Sequence, residues 1–351
     1  MRLKAIEIQN IKNMKKRKID FSDESSIFSI QGENGTGKSA FIDALYIVQK
    51  LMCGEKLEDY FGEYINVASS TAYINITFEG DIRYSVHFEK KDDSVKIVEE
   101  MLSTSVVSPF LCFKNNKDEY VLPEISLSKM TEKITIDLLT VRELAFIQNT
   151  SAVFSDFSME IWEKLKKTEF KSYCEVIESL RKFATEDLFI LHDASYEERR
   201  LGFNLKMDAK DYFLSLEKPM LLDKVLVSKI SMILEQINIL LSDITDMKLV
   251  IKDYGEQCLD NGEIGNKIEI LSRRNNSQIS VKLESRSVLR IISILGAAVN
   301  SRCLVIDDLD CGLSTTMLDK LIKVLSDTVK QIVFTSLMNK DFSQCKMANI
   351  G

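Results

Sequence analysis

Residues 29–45 read SIQGENGTGKSAFIDAL. The chain has only 13 glycines in 351 residues, yet Gly32, Gly35 and Gly37 fall within six positions. A short apolar run, SIFSIQ (26–31), leads into them. Behind them Ala40, Phe41, Ala44, Leu45, Val48, Leu51 and Met52 recur at helical spacing. The pattern predicts a strand, a loop, and a helix from near Lys38 to near Gly54. Gly32-x-x-x-x-Gly37-Lys38-Ser39 in that setting is a phosphate-binding loop. Glycine permits backbone angles and a close approach that a Cβ forbids. Successive N–H groups then form an anion-binding nest, and the helix N-terminus adds partial positive charge. Lys38 supplies a point charge for β- and γ-phosphates, and the Ser39 hydroxyl is a magnesium ligand. A plain glycine-rich turn is the bland alternative.

Such a loop needs a second, acidic site. Residues 303–314, CLVIDDLDCGLS, offer it: four apolar residues lead to Asp307 at the carboxyl end of a buried strand, where α/β sheets hold ligands. Asp307 is the expected magnesium ligand, through its waters. Asp308 stands where a water-activating carboxylate belongs. Apolar-then-Asp-Asp alone is a weak signal; coupled to the loop it becomes strong. Lys38 and Asp307 lie near opposite ends of the chain, much farther apart than one crossover requires. A large insertion must separate two halves of one nucleotide-binding core.

Composition supports a globular chain: 45% hydrophobic and 28% charged residues, with a net charge of −7. A generic nucleic-acid binder shows a basic surplus instead. The densest basic run, KNMKKRK (12–18), reads either as the solvated face of an early strand or as a phosphate-contact patch. No apolar run is long enough to suggest a membrane span, and the N-terminus lacks the apolar stretch of a signal peptide, so a cytoplasmic location is expected. Seven cysteines without a CxxC pair argue against zinc and disulfides and for isolated buried thiols.

Residues 1–9 and 15–22 alternate as strands, and 71–122 are β-rich. From about 156 to 245 the pattern is mostly helical. Its clearest stripe is Leu222, Leu226, Ile230, Ile233, Leu234, Ile237, Leu240 and Leu241. Strands return at 248–253, 266–272 and 277–283. A helix covers 284–299, and a second lies at 315–327 between buried strands 303–306 and 331–335. The expected fold is α/β: a P-loop core of mixed and parallel sheet with an inserted β-rich segment and a mostly helical arm lobe. Its divisions are 1–155, the N-terminal half of the core; 156–265, the helical insertion; and 266–351, the C-terminal half.

Together these motifs resemble the ABC-class ATPases of the SMC/RecF/OLD type, and more narrowly their short-armed stand-alone members. LKAIEIQNIKNMKKRKIDF (3–21) is similar to their first β-meander, with Lys12 at the arginine position and Asn13 at the serine. SIQGENGTGKSAFIDAL matches their loop and first helix. ELAFIQNTSAVFSDF (143–157) resembles the Q-loop segment, LESRSVLRIISIL (283–295) occupies the signature slot, and QIVFTSLMN (331–339) resembles the switch strand. The resemblance implies ATP and Mg²⁺ as cofactors. It implies nucleotide contacts from Lys12, Asn13, Asn34, Gly35, Thr36, Gly37, Lys38, Ser39, Ala40, Ser285 and Ser287. It implies magnesium ligation by Ser39, Gln148 and Asp307, and catalytic roles for Lys38, Asp308 and Gln148. Two copies would stack head to tail around ATP, closing on binding and opening on hydrolysis.

Three positions depart from the family pattern. Ser-x-Gly becomes Ser285-Arg286-Ser287, the usual glutamate becomes Asp308, and the switch histidine becomes Leu337. ATP binding is therefore expected to survive better than fast turnover. The two histidines, His87 and His192, read as structural residues. The leading expectation is a slow ATPase whose dimerisation regulates or scaffolds a separate effector, as short-armed relatives do in anti-phage defence. The alternatives are a DNA-repair-type clamp or a non-hydrolysing ATP-bound subunit. The glutamates of DASYEERR (193–200) and the Tyr and Phe residues in 196–213 read as a solvated helix or a partner surface.

Overall fold

The elements of the computed structural model follow in chain order. The first part carries β1 (Leu3–Ile11), β2 (Met14–Asp20), β3 (Ile27–Gln31), α1 (Lys38–Met52), β4 (Thr71–Phe78), β5 (Ile82–Lys91), β6 (Ser94–Ser103) and β7 (Leu111–Lys114). The middle carries α2 (Glu132–Gln148), α3 (Asp156–Leu165), α4 (Lys171–Lys182), β8 (Leu188–Leu191), β9 (Gly202–Met207), β10 (Lys210–Ser215), β11 (Met220–Leu222) and α5 (Lys224–Ser242). The last part carries β12 (Lys248–Cys258), β13 (Ile264–Arg274), β14 (Ser277–Ser280), α6 (Arg286–Ala298), β15 (Cys303–Ile306), α7 (Thr315–Thr328), β16 (Gln331–Ser336) and β17 (Lys346–Asn349). The residues described are 1–21, 26–57, 59–91, 94–104, 111–114, 132–167, 170–191, 202–207, 210–215, 219–258, 264–275, 277–337 and 345–349. His192 and much of the 193–213 stretch lie outside them. The chain forms two units: Met1–Glu24, Gln31–Leu188 and Ala348–Gly351 make one, Ser25–Ile30 and Phe189–Met347 the other.

In the first unit an antiparallel sheet runs β2-β1-β4-β5-β6-β7. Alternation places Ile6, Ile8, Ile74, Ile76, Val86 and Leu102 on its buried face. β2 lies at the edge of that order, and its Lys15, Lys16, Arg17 and Lys18 are all exposed. Charges of this kind on an edge strand discourage pairing with another chain. α1 is buried almost all round, including Ile42 and Asp43 beside the Phe41, Leu45 and Val48 stripe. α4 ends in a π turn, Phe183–Asp187. Gln49 donates to the carbonyls of Ala184 and Leu188 (3.0 and 2.9 Å), satisfying acceptors at that irregular end.

The second unit centres on a five-stranded sheet, β17-β3-β16-β15-β8. β15 and β16 are parallel, in register from Cys303↔Gln331 to Ile306↔Phe334, and every residue of β3, β15 and β16 is buried. That burial explains their continuous apolar runs. β11, β13 and β12 form a second antiparallel sheet with β14 paired to β13, and β9 pairs with β10. One core joins Ile230, Ile233, Leu234, Ile237 and Leu241 of α5 to Ile291, Leu295, Leu304, Leu321 and Phe334.

The architecture is α/β with parallel and antiparallel sheets, as the motifs predict. The stretch 156–245 is less helical than expected, since β8, β9, β10 and β11 interrupt it. LFIL (188–191) is an apolar run too short for a helix, and a sheet edge is open to it. Leu222 belongs to β11, paired with Asn266. The helix begins only after Asp223, whose side chain accepts the Leu226 N–H at 2.8 Å as an N-cap. By length and mean hydropathy (1.5) α5 could cross a bilayer, yet one of its faces is packed into the core. The cysteines are also less uniform than expected: Cys174 and Cys303 are buried, but Cys258 and Cys311 are exposed. Burial pushes the Cys174 thiol up to about 11, so it is inert.

Candidate functional site

The loop from Gly32 to Ser39 has the backbone its glycines require. Gly35 (φ 79°) and Gly37 (φ 96°) are left-handed. At Gly35 the angle alone excludes a side chain, because an added Cβ would meet nothing within 4 Å. At Gly37 space excludes it too: a Cβ would lie 2.4 Å from the Met14 sulfur. Thr36 braces the loop by donating its hydroxyl to the Glu33 carbonyl at 2.9 Å. Gly37 is the N-cap of α1, with no side-chain cap and no acidic residue in the first turn. Its leading N–H groups, with the positive end of the helix dipole, thus face no protein carboxylate of their own helix. Lys38 is buried, and its ammonium donates to the carbonyls of Gly32 and Glu33, both at 2.9 Å. Asn34 is exposed, Ser39 partly so, and Ala40 is buried behind the loop.

The turn between β1 and β2 belongs to this site. Asn13 donates its amide to the Gly35 carbonyl, and Met14 fills the space beside Gly37. Lys12, at φ 48°, is held by backbone bonds: its N–H donates to the Tyr64 carbonyl (2.6 Å), and its carbonyl accepts from Asn66 (2.7 Å). Its ammonium sits 2.5 Å from Asp43 in α1 and 5.2 Å from the Tyr64 ring centre. Lys12 would have to leave Asp43 to touch a phosphate.

Gln148 is exposed at the end of α2. The residues after it are anchored hard. Asn149, left-handed at φ 56°, donates to the carbonyls of Val95 (2.7 Å) and Leu57 (3.1 Å) and accepts the Ile97 N–H (3.1 Å). Glu100 on β6 is fully buried. It accepts from Tyr84 (2.6 Å), the Ser151 hydroxyl, and the N–H groups of Ala152 (2.6 Å) and Val153 (3.3 Å). Burial raises its pKa despite those donors.

In the second unit, β3, which continues into the loop, and β15, which ends at Asp307, share one sheet with β16 between them. The Thr335 hydroxyl at the end of β16 accepts the Asp308 N–H (2.7 Å) and donates to Asp307 Oδ1 (2.6 Å). The Asp307 N–H donates to the Leu191 carbonyl of β8 at 2.9 Å. Asp308 is left-handed (φ 47°), so the chain turns sharply there. Arg290 of α6 caps the turn, donating to the carbonyls of Asp307 (2.8 Å) and Asp308 (3.3 Å). Asp310 accepts from Ser336 (3.0 Å) and from the Leu337 N–H (3.1 Å).

Of Ser285 and Ser287, the second reaches the segment that follows this turn. Ser285 is the N-cap of α6, its side chain accepting the Val288 N–H. Ser287 donates its hydroxyl to the Gly312 carbonyl at 2.5 Å. Leu337 is 46% exposed and presents no titratable group in the histidine's place. His87 lies on β5, 3.3 Å from Glu99 and edge-on to Tyr73, in keeping with a structural role.

Thus the structure joins Lys12, Asn13, Gly35, Gly37 and Lys38 in the first unit, and Asp307, Asp308, Ser287 and the Gly312 turn in the second. Sequence reasoning missed Asp43, Glu100, Asn149, Arg290 and Thr335. Only Thr335 carried a signal, as the polar end of an apolar strand.

The family model described as AAA domain matches residues 5–285. Among solved structures, the SMC head bound to the C-terminal winged-helix domain of ScpA is 11% identical, covering 98% of this chain and 92% of that one, with a TM-score of 0.47. The Smc head with an extended coiled coil bound to the C-terminal domain of ScpA, from Pyrococcus furiosus, is 14% identical (99% and 93% covered, TM-score 0.48). The SMC head from Thermotoga maritima is 16% identical (99% and 94% covered, TM-score 0.44). No curated protein matches.

Proposed function

The chain belongs to the AAA domain family, and on that premise we propose that it binds ATP at residues 32–40 and hydrolyses it slowly, as a nucleotide-gated switch between two copies. The carrying observation is the loop itself: left-handed Gly35 and Gly37 above a buried lysine, opening a helix with no side-chain cap. Lys38 would exchange its two loop carbonyls for phosphate oxygens, which offer it a full opposite charge. The proposed magnesium ligands, Ser39, Gln148 and Asp307, are all oxygen donors of the kind Mg²⁺ prefers. When bound, the ion would neutralise charge on the phosphates. Asp308 is the proposed water-activating base. Its carboxylate is one methylene shorter than glutamate, and a misplacement of about 1 Å can cost about two orders of magnitude in rate.

The slow switch would act in the cytoplasm on a separate effector protein, in the anti-phage role that the family resemblance suggests. A second reading, a DNA clamp, draws on the exposed Lys15–Lys18 run of β2. Steeply salt-dependent duplex binding would favour it.

The test is calorimetric ATP binding and steady-state turnover. Lys38→Ala should weaken ATP at least tenfold, about 1.4 kcal/mol. Turnover should stay below ~1 s⁻¹ and fall further in Asp308→Asn. Unchanged affinity in Lys38→Ala would reject the site, and fast turnover abolished by Asp308→Asn would reject the slow switch.

A further inference from the structure

α6 carries a charged residue into an apolar interior. Arg290 is 8% exposed, and Val288, Ile291, Ile292, Ile294 and Leu295 of the same helix are buried with it. A buried cation is costly unless it is well hydrogen-bonded. One guanidinium nitrogen of Arg290 donates to the carbonyls of Asp307 (2.8 Å) and Asp308 (3.3 Å). The Asp307 carbonyl and the Asp308 N–H are the two polar ends of one peptide unit, and the Thr335 hydroxyl accepts that N–H at 2.7 Å. The unit is thus held from both sides, by α6 and by β16. Asp308 sits at φ 47°, in the left-handed region. Strained backbone of this kind persists where its surroundings over-determine it, and it gathers at functional sites. Asp308 is also only partly buried, whereas Asp307 and Asp310 beside it are buried. Of the three carboxylates, Asp308 is therefore the most open to water.

We propose that Arg290 is a positioning residue for hydrolysis: it fixes the peptide plane from which the Asp308 side chain leaves, and so aims that carboxylate without touching ATP. This deepens the reading of Asp308 as the water-activating base and rests on it. Aim matters more for an aspartate than for a glutamate, because the shorter side chain has one torsion fewer with which to correct a tilted backbone. Arginine suits the task. Both hydrogens of one planar nitrogen serve two acceptors, and the charge is never lost. A lysine is shorter and presents a point charge. The same helix also holds the segment beyond the turn, where Ser287 donates to the Gly312 carbonyl. The stretch from Asp307 to Gly312 is therefore braced near both ends by α6.

Single-turnover hydrolysis and calorimetric ATP binding of the full chain test this, with melting as the check on folding. Arg290→Met should slow hydrolysis roughly tenfold or more. ATP affinity should stay within about twofold, the pattern of an interaction used only in the transition state. Arg290→Lys, which keeps the charge and loses the planar fork, should fall between Arg290→Met and wild type. If Arg290→Met does not fold, the loss in Arg290→Lys carries the test. In an Asp308→Asn background Arg290→Lys should slow hydrolysis no further, since no base is left to aim. A merely structural arginine would act in both backgrounds alike. Hydrolysis unchanged in Arg290→Met (in Arg290→Lys, should the first not fold) overturns the proposal. So does a loss of ATP affinity as large as the loss of rate, or full additivity with Asp308→Asn. The parent reading fails differently: ATP affinity indifferent to Lys38→Ala, or hydrolysis indifferent to Asp308→Asn, removes the base that Arg290 aims, and the proposal falls with it.

Discussion

Lys12 Nζ lies 2.5 Å from Oδ2 of Asp43, a carboxylate with no solvent exposure, while the lysine itself is 40% exposed. The two partners are therefore unequal. Lys12→Met takes the cation away from a buried carboxylate, which costs up to about 3–5 kcal/mol. Asp43→Asn leaves only a lysine that can turn to water, and should cost clearly less. Denaturant unfolding of both variants checks the ranking. Equal costs would show that Asp43 draws its main support elsewhere.

The glycines of the loop should also separate. Gly35→Ala meets open space and carries only the left-handed penalty, about 1–2 kcal/mol. Gly37→Ala carries that penalty and drives a methyl into Met14, 2.4 Å away. It should be the more destabilising variant and should lose ATP binding. Met14→Ala should partly rescue the stability of Gly37→Ala, as a double-mutant cycle would measure.

The Thr335 hydroxyl links the Asp307 carboxylate to the Asp308 amide. Thr335→Val keeps its shape and removes the hydroxyl. Losing these two hydrogen bonds should cost about 1–3 kcal/mol. Thr335→Ser keeps the hydroxyl and should restore most of it. If turnover uses Asp307, magnesium dependence should shift in Thr335→Val and recover in Thr335→Ser.

Glu100 predicts a pH signature. Burial raises its folded pKa above its ordinary value, against four hydrogen bonds that lower it. The unfolded chain gives up the proton first as pH rises. Glu100's contribution is therefore complete below about pH 4 and declines as pH climbs through the folded value. Glu100→Gln removes the titration. The melting-temperature advantage of wild type over Glu100→Gln should shrink as pH rises above about 4. A flat difference would contradict the raised pKa.

The parts of the fold readable from sequence are those whose causes are local. Glycine angles, a lysine after the last glycine and an apolar helix stripe sit within one short stretch, and the structure places strand, loop and helix where that stretch predicts them. CLVI and QIVFT were legible because strands covered on both faces need continuous apolar runs. Short runs such as LFIL carry no period long enough to tell helix from strand, and only the vacant sheet edge decides them. Asn149 and Glu100 were illegible for another reason. Their partners, Val95 and Ser151, are about fifty residues away, and nothing in the neighbouring residues announces a distant donor. Lys12 was visible as a cation near phosphate; its buried partner in α1 was not.

The sulfur of Met14 occupies the volume that any side chain at position 37 would claim. The hairpin thus acts as a mould against which the nucleotide cradle is cast, and the two positions must co-vary. Relatives with a bulkier residue at 37 should carry a small one at 14. A grafted loop lacking its hairpin should set into a different shape.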